Sequence, residues 1–397
     1  MTKQPIVVCG GGIAGMACAL GLARKSQAVS VLAPDVHRTM PEPDVYHPRV
    51  YAISAASQHF LNDLGVWGLM EPRRLTPVSA MELYGDGGGS LQLEAWQDAR
   101  DTLTWIVESG ELERVLRQAL KVYGVPWHDD HFEKRDGAAV LTRTGQRLPA
   151  DLIIGADGAQ SQVRTQAGIR HHRKAYQASG MVTHLTAERA HQGVAFQWFT
   201  GESVVALLPL PDTAQGPQVS MVWSGPEDWV NSMMALSAEE RAEQLSVRLQ
   251  AVTGGRLGRL TVRAPVYAFP LSVERSDMVA PQVALVSDAA HRVHPLAGQG
   301  LNLGLGDVDE LIRVLADKPK HASVGDLRVL ERYRRARAEP IAAMSFVTDS
   351  LHRLFAVQAT PVVWLRNTGM SIVNKLPFIK RQLIANAAGV HKRVSKP

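Results

Sequence analysis

Gly10-Gly11-Gly12-Ile13-Ala14-Gly15 has the spacing G-x-G-x-x-G, with the apolar run Ile6-Val7-Val8-Cys9 before it and an apolar helical pattern through Ala23 after it. In that setting Gly10 permits a tight turn, Gly12 lets backbone approach a pyrophosphate, and Gly15 lets the helix pack close to a sheet. The amides of Ile13 and Ala14 then open a helix whose N-terminus favours phosphate. The chemistry this predicts is dinucleotide binding. One expected part is missing, because Val31-Leu32 runs into Ala33-Pro34 where an acid should hold the ribose, and the nearest carboxylate, Asp35, comes two residues late. Either Asp35 swings in, or backbone and water hold that ribose.

A second constellation is Ile153-Ile154-Gly155-Ala156-Asp157-Gly158, followed by Ser161 and Arg164. A strand ending on a small-residue turn aims Asp157 at the same crevice, with Ser161 and Arg164 on the next helix able to face it. The structural alternative is an Asx turn with a helix cap. The third is the most specific: Val286-Ser287-Asp288, then His291-Arg292-Val293-His294-Pro295-Leu296-Ala297-Gly298-Gln299-Gly300-Leu301-Asn302. A strand delivers Asp288 to a sheet edge, where a carboxylate accepts a ribityl hydroxyl. Gly298 to Asn302 present bare amides at a helix N-terminus, which stabilise negative charge on the N1 and O2 edge of a flavin ring. Pro295 gives that ring a flat apolar wall. Pro295, Gly298, Gln299 and Gly300 are thus candidates for the ring environment, with no catalytic acid or base assigned. His291 and His294 lack a third ligand at metal spacing, so their expected role is to bond backbone around the cofactor, and no metal is assigned.

These motifs need a parallel sheet to bring them together. Ile6 to Cys9, a helix, and Ala28 to Leu32 read as strand, helix, strand; Asp151 to Ile154 and Val283 to Val286 are further buried-strand runs. Ser57 to Met70 and Glu111 to Val122 read as helices, and the apolar positions from Leu301 to Leu315 fall at helical spacing. Met81 to Tyr84 and Leu91 to Ala95 flank a glycine-rich turn as a hairpin, and Ala175 to Leu271 mostly alternates strand patterns with turns around a helix at Ala238 to Val252, predicting an antiparallel sheet.

The 397 residues are enough for two domains, and a net charge of +5 without a basic groove of interleaved aromatics gives no reason to expect nucleic acid. Cys9 and Cys18, the two cysteines, both lie in the first unit and fit a reducing, cytoplasmic setting. Pro5 to Ala23 is uncharged, but its three consecutive glycines would break a spanning helix, so neither a signal peptide nor a transmembrane helix is expected. From Ser350 to Pro397 there are eight basic residues and no acid. Such a tail is either a solvated helical face or a peripheral contact to an anionic membrane surface.

Together the glycine motif, the Asp157-Gly158 segment and the Asp288 to Asn302 segment resemble the FAD-dependent aromatic hydroxylases, and His291 to Gly306 is similar to the branch that hydroxylates the ubiquinone head group. Arg49 to Ser57, Leu64-Gly65-Val66-Trp67 and Leu376 to Lys380 resemble the same branch, so the likeness covers nearly the whole chain. It implies an α/β fold: a Rossmann-type FAD-binding domain like that of p-hydroxybenzoate hydroxylase (1–75, 105–174, 275–340), an inserted antiparallel β-sheet substrate domain (76–104, 175–274), and a basic helical C-terminal segment (341–397). Arg49 and Ser109 join Gly10, Gly12, Ile13, Ala14, Gly15, Asp35, Asp157, Asp288, Gly300, Leu301 and Asn302 as residues expected around non-covalent FAD. The implied reaction has NAD(P)H reducing FAD and leaving, O2 captured as a flavin C4a-hydroperoxide, and the distal oxygen passed to a ubiquinone-precursor ring. Two departures stand out: Ala33 for the ribose acid, and Ser287 where the family has glycine. Rival readings are a hydroxylase of another small aromatic and a flavin-poor structural member of a biosynthetic assembly. Contacts with other ubiquinone-biosynthesis proteins and self-association into a homo-oligomer remain open.

Overall fold

In the computed structural model the described residues are 4–35, 44–201, 203–293, 300–356, 373–374 and 376–387. The uncharged run near the N-terminus folds as a buried strand, β1 (Pro5–Cys9), and a helix buried almost all round, α1 (Ile13–Arg24), which returns through β2 (Ala28–Leu32). β1 pairs in parallel with β2 and with β12 (Leu152–Gly155). β8 (Trp127–His128) and β20 (Val283–Leu285) extend this parallel sheet, and β19 (Val279–Ala280) adds an antiparallel edge, giving the order β19-β20-β12-β1-β2-β8. The strand order therefore reverses between β1 and β12, where α/β sheets open a crevice at their carboxyl ends.

The larger sheet has nine strands: β5 (Ala80–Tyr84), β6 (Ser90–Glu94), β13 (His171–Ala187), β14 (Val194–Phe199), β15 (Val204–Thr213), β16 (Gly216–Pro226), β17 (Leu260–Val262), β18 (Tyr267–Ser276) and β21 (His291–Arg292). Its pairing is antiparallel except that β14 runs parallel to β5, a long-range pairing that strand patterns do not encode. Its second core packs under α5 (Glu227–Met234) and α6 (Ala238–Thr253), the latter started by a Ser237–Glu240 capping box. β21 pairs with β18 immediately after the Asp288 turn, so the cofactor strand leads directly into the larger sheet.

Two three-stranded sheets complete the fold: β3 (Val50–Ser54), β7 (Thr104–Glu108) and β4 (Leu75–Val78), and β9 (Phe132–Arg135), β10 (Ala139–Thr142) and β11 (Arg147–Pro149). The helix expected over Ser57 to Met70 is shorter. α2 (Ala55–Asp63) stops before Gly65, which sits at φ +76°, and Trp67–Leu69 makes one 3-10 turn. α3 (Ser109–Val122), α4 (Gln162–Gln166), α7 (Gly300–Ala316) and α8 (Leu327–Ala356) surround the crevice and its core, and a last helix covers Pro377–Ala387.

Candidate functional site

The glycine turn is set by close approach. Gly10 lies at φ +127°, and a Cβ there would stand 2.1 Å from the Ala156 carbonyl oxygen; one on Gly15 would stand 2.0 Å from that of Gly10. Only glycine fits either place. Gly12 differs, since a Cβ there would meet nothing within 4 Å. It caps α1 with extended backbone, no side chain caps the helix, and no acid lies in its first turn. The amides that follow, Ile13 and Ala14 among them, open a helix with no side-chain cap and no acid in its first turn, which suits a pyrophosphate.

Asp157 caps the next helix, the structural alternative considered for it, with one carboxylate oxygen. Oδ2 accepts the amides of Gln162 (2.8 Å) and Val163 (3.2 Å), while Oδ1 is buried with no partner among the described residues. An orphaned carboxylate oxygen beside Gly10 is an acceptor held ready for a ligand donor. Ser161 and Arg164 do not face the crevice as expected. The Ser161 hydroxyl caps α4 by accepting the Arg164 amide, and the Arg164 guanidinium donates to the carbonyls of Ala289 (2.9 Å) and Ala159 (2.7 Å), lacing the Asp157 turn to the Asp288 turn.

Asp288 is half-buried in the turn Ser287–Ala289 and makes no hydrogen bond to the described residues. A buried ion cluster holds that turn from behind. Asp307 of α7 accepts the Ser287 amide (3.0 Å), meets His291 Nε2 (2.6 Å), and accepts Arg337 Nε (2.7 Å), while Arg337 Nη2 reaches the Leu303 carbonyl (3.0 Å). Burial by itself would raise the Asp307 carboxyl, but the charges and hydrogen bonds of His291 and Arg337 outweigh it and hold it below the ordinary range. His291 thus bonds a carboxylate rather than backbone. Sequence reasoning missed Asp307 and Arg337; the available signal was a lone acid inside the apolar stripe of α7.

Arg49, Ser109 and Asp288 share one electrostatic neighbourhood around Tyr51. The Arg49 guanidinium lies 5.1 Å from the Tyr51 ring centroid, and the Ser109 amide donates to the Arg49 carbonyl at 2.9 Å. Burial pushes the Tyr51 phenol up, opposed by the Arg49 charge and the Ser109 hydroxyl, with Asp288 adding to the rise. At α7, a Cβ on Gly300 would meet open space, and Leu301 follows in the first turn. The Asn302 side chain is committed elsewhere, accepting the Ser54 amide (2.9 Å) and donating to the Ala52 carbonyl (2.7 Å), which pins β3 to α7. The side chain is therefore not available for the cofactor contact expected of it. Asp35 is ion-paired with Arg117 of α3. Pro295, Gly298 and Gln299, with His294, lie outside the described residues.

The glycine turn, Asp157 and Asp288 lie at the carboxyl ends of neighbouring strands, Asp157 Oδ1 and the Asp288 carboxylate without a hydrogen bond among the described residues, and residues 3–345 match the sequence profile of the FAD binding domain family. The chain belongs to that family. FAD is therefore the dinucleotide the cradle fits, and the chain is a flavoprotein of the monooxygenase type, as its motifs lead one to expect. The chain is 34% identical to the 3-demethoxyubiquinol 3-hydroxylase of Escherichia coli, over 98% of this chain and 100% of that one. It is 31% identical to ubiquinone hydroxylase UbiL of Rhodospirillum rubrum, over 99% and 91% of the two chains. The resemblance to the ubiquinone hydroxylase branch holds. In fold it superimposes on p-nitrophenol 4-monooxygenase PnpA of Pseudomonas putida with a TM-score of 0.77, at 18% identity and 97% coverage of both chains. Among the described residues no helix is long and apolar enough to cross a membrane.

Proposed function

We propose that this flavoprotein hydroxylates the aromatic ring of a ubiquinone precursor, taking electrons from NAD(P)H and oxygen from O2. The observation that carries the reading is the end-to-end match to a 3-demethoxyubiquinol hydroxylase, made on a chain whose crevice retains an open cradle. Bound FAD supplies the redox and oxygen chemistry. The chain's own work is to hold and orient. Asp288 accepts a ribityl hydroxyl, Asp157 Oδ1 accepts a second donor of the cofactor, the α1 amides take the pyrophosphate, and Arg49 and Ser109 border the flavin. The amides of Gly300 and Leu301 would face the ring edge where negative charge builds, the environment for which the sequence also offers Pro295, Gly298 and Gln299 as candidates. The larger sheet, drawn mostly from 76–104 and 175–274 with β21 added, forms the substrate side and keeps the ring dry and positioned. The phenol already activates its own ring, so no strong acid or base is required.

We also propose that the basic C-terminal segment meets an anionic membrane surface, where a long-tailed precursor resides. The helix Pro377–Ala387 supports this, for it exposes Phe378 (79%) and packs against the turn Ala95–Asp98, which exposes Trp96 (71%), with Arg381 close to Asp98. The functional test is to express the chain in cells lacking one ring hydroxylase at a time and identify the quinone made. Restored ubiquinone in one strain is the expected result. Failure in every strain by protein that carries FAD refutes the substrate assignment.

A further inference from the structure

The two faces of the larger sheet are filled differently. Phe196, Val205, Met221 and Met181 enter the second core under α5 and α6, and the residues alternating with them point to the opposite face. One end of that face is closed, where Ala195 and Leu208 pack with Tyr46, Val78 and Ile106. Two residues further along β14, a single row crosses five neighbouring strands: Leu83 of β5, Gln197 of β14, Ala206 of β15, Val222 of β16 and Val182 of β13. The four apolar members are only half-buried although their strands lie inside the sheet, so space remains in front of the row. Gln197, the one polar member, is 6% exposed, and its carboxamide makes no hydrogen bond to a described residue. The row also lies on the cofactor's side of the sheet. Val50 and Ala52 of β3 pack on the closed end, and Asn302 ties β3 to the first turn of α7.

We propose that Gln197 recognises the oxygen substituents of the substrate ring. A buried polar group is almost always hydrogen-bonded, and one left without a partner lowers stability. An unpaired carboxamide in an otherwise apolar row is therefore a donor and acceptor kept for a ligand. Its carbonyl oxygen accepts a phenol hydroxyl, and its N–H group donates to an oxygen on the adjacent ring carbon, whether hydroxyl or methoxyl. Leu83, Ala206 and Val222 supply apolar contact to the ring itself, and the short Ala206 side chain leaves room beside the amide. A site that hydrogen-bonds a hydroxyl rejects an analogue lacking it far more strongly than an apolar wall rejects an added group, so this one amide sets which ring is accepted. The inference rests on the proposed ring hydroxylation and names the residue that selects its substrate.

The test crosses one residue with one ligand group. Protein carrying FAD is titrated, without NAD(P)H or oxygen, with a short-tailed demethoxyubiquinol and with its ether in which the ring hydroxyls are methylated, and binding is read from the shift in flavin absorbance. The wild type binds the free phenol about tenfold more tightly than the ether, the scale of one hydrogen bond to a buried amide. Gln197→Met binds the phenol about tenfold less tightly and the ether as the wild type does, so the preference disappears. It retains FAD, and its melting temperature does not fall, because an amide without a partner adds nothing to the fold. A preference kept by Gln197→Met overturns the assignment, as does an equal loss for both ligands. A lower melting temperature in both Gln197→Met and Gln197→Leu marks a structural amide and overturns it too. Wild-type protein that binds both probes equally overturns the role of Gln197 alone, whereas FAD-loaded wild type that binds neither overturns the ubiquinone-precursor reading together with it.

Discussion

Ser287 precedes Asp288 and lies at φ +57°, in the left-handed region, where the resemblance to the aromatic hydroxylases implies glycine. A non-glycine residue there costs about 1–2 kcal/mol, and replacing it by glycine returns about 0.5–1 kcal/mol of that through the looser unfolded chain. Ser287→Gly should therefore stabilise the fold by about 0.5–1 kcal/mol. With an unfolding entropy of roughly 2 cal/mol/K per residue, a chain of this length shifts its Tm by only about 1 °C for that gain, so the decisive experiment is a double-mutant cycle. A Cβ on Gly304 of α7 would stand 2.4 Å from Ser287 Oγ, 2.7 Å from its Cβ and 3.2 Å from its Cα. In the wild type Gly304→Ala drives a methyl into that side chain. In the Ser287→Gly background only the Cα remains near, and alanine recovers the roughly 1 kcal/mol by which it exceeds glycine inside a helix. The two substitutions should couple by about 1–3 kcal/mol, read from paired chemical denaturation curves. If Gly304→Ala costs the same in both backgrounds, or if Ser287→Gly destabilises, the strain argument is wrong.

The glycine cradle divides its residues sharply. Gly10→Ala should fail to fold stably, with its methyl 2.1 Å from a carbonyl oxygen, whereas Gly12→Ala should fold with an unchanged melt and bind FAD less tightly, which calorimetric titration resolves. Asp288→Ala removes a charged acceptor worth about 1.5–3 kcal/mol and should yield protein that loses its yellow colour on gel filtration while its melt as apoprotein is retained. Asp307→Asn leaves Arg337 buried beside a neutral group and should cost roughly 3–5 kcal/mol. Because the folded Asp307 carboxyl is held below its unfolded value, its contribution is present above about pH 4 and lost as pH falls through the folded value, so the variant's stability should fall less steeply in acid than the wild type's. Removing Thr360 to Pro397 should abolish sedimentation with anionic vesicles at low salt and cost turnover of a long-tailed precursor far more than flavin reduction; full-length protein that ignores such vesicles turns the tail into a candidate protein-docking surface.

The parts of the site legible in the sequence are those whose demand is local. Gly10 and Gly15 are fixed by a turn and a contact within the same strand-turn-helix unit, and a spacing rule captures that fully. Asp157 was legible as either a helix cap or a crevice group because a carboxylate has two oxygens, and the fold spends one on the cap and leaves the other without a partner among the described residues. What stayed hidden depends on pairings between distant segments. Asn302, expected at the cofactor, spends its amide on Ala52 and Ser54, some 250 residues away, and no pattern at either place announces the partner. Asp307, His291 and Arg337 are three ordinary residues until the turn of Ser287 brings a helix, a strand and a second helix around one carboxylate.

The two departures from the family pattern show how such hidden pairings carry function. From the sequence, Ala33 and Ser287 both look like losses that should weaken flavin retention, and restoring glutamate at position 33 looks like a repair. In the fold each sits against a matched neighbour: Ser287 against Gly304, and Ala33 against Trp127 with Arg117 over it. A substitution with a matched neighbour is half of a pair, and reverting one half sets the old side chain against the new surroundings. The direction of change therefore depends on what the neighbour leaves behind. At position 287 the reversion to glycine removes atoms, relieves φ and opens room, so it stabilises. At position 33 the reversion to glutamate adds atoms where the indole already lies, so it should loosen the cofactor it was meant to hold.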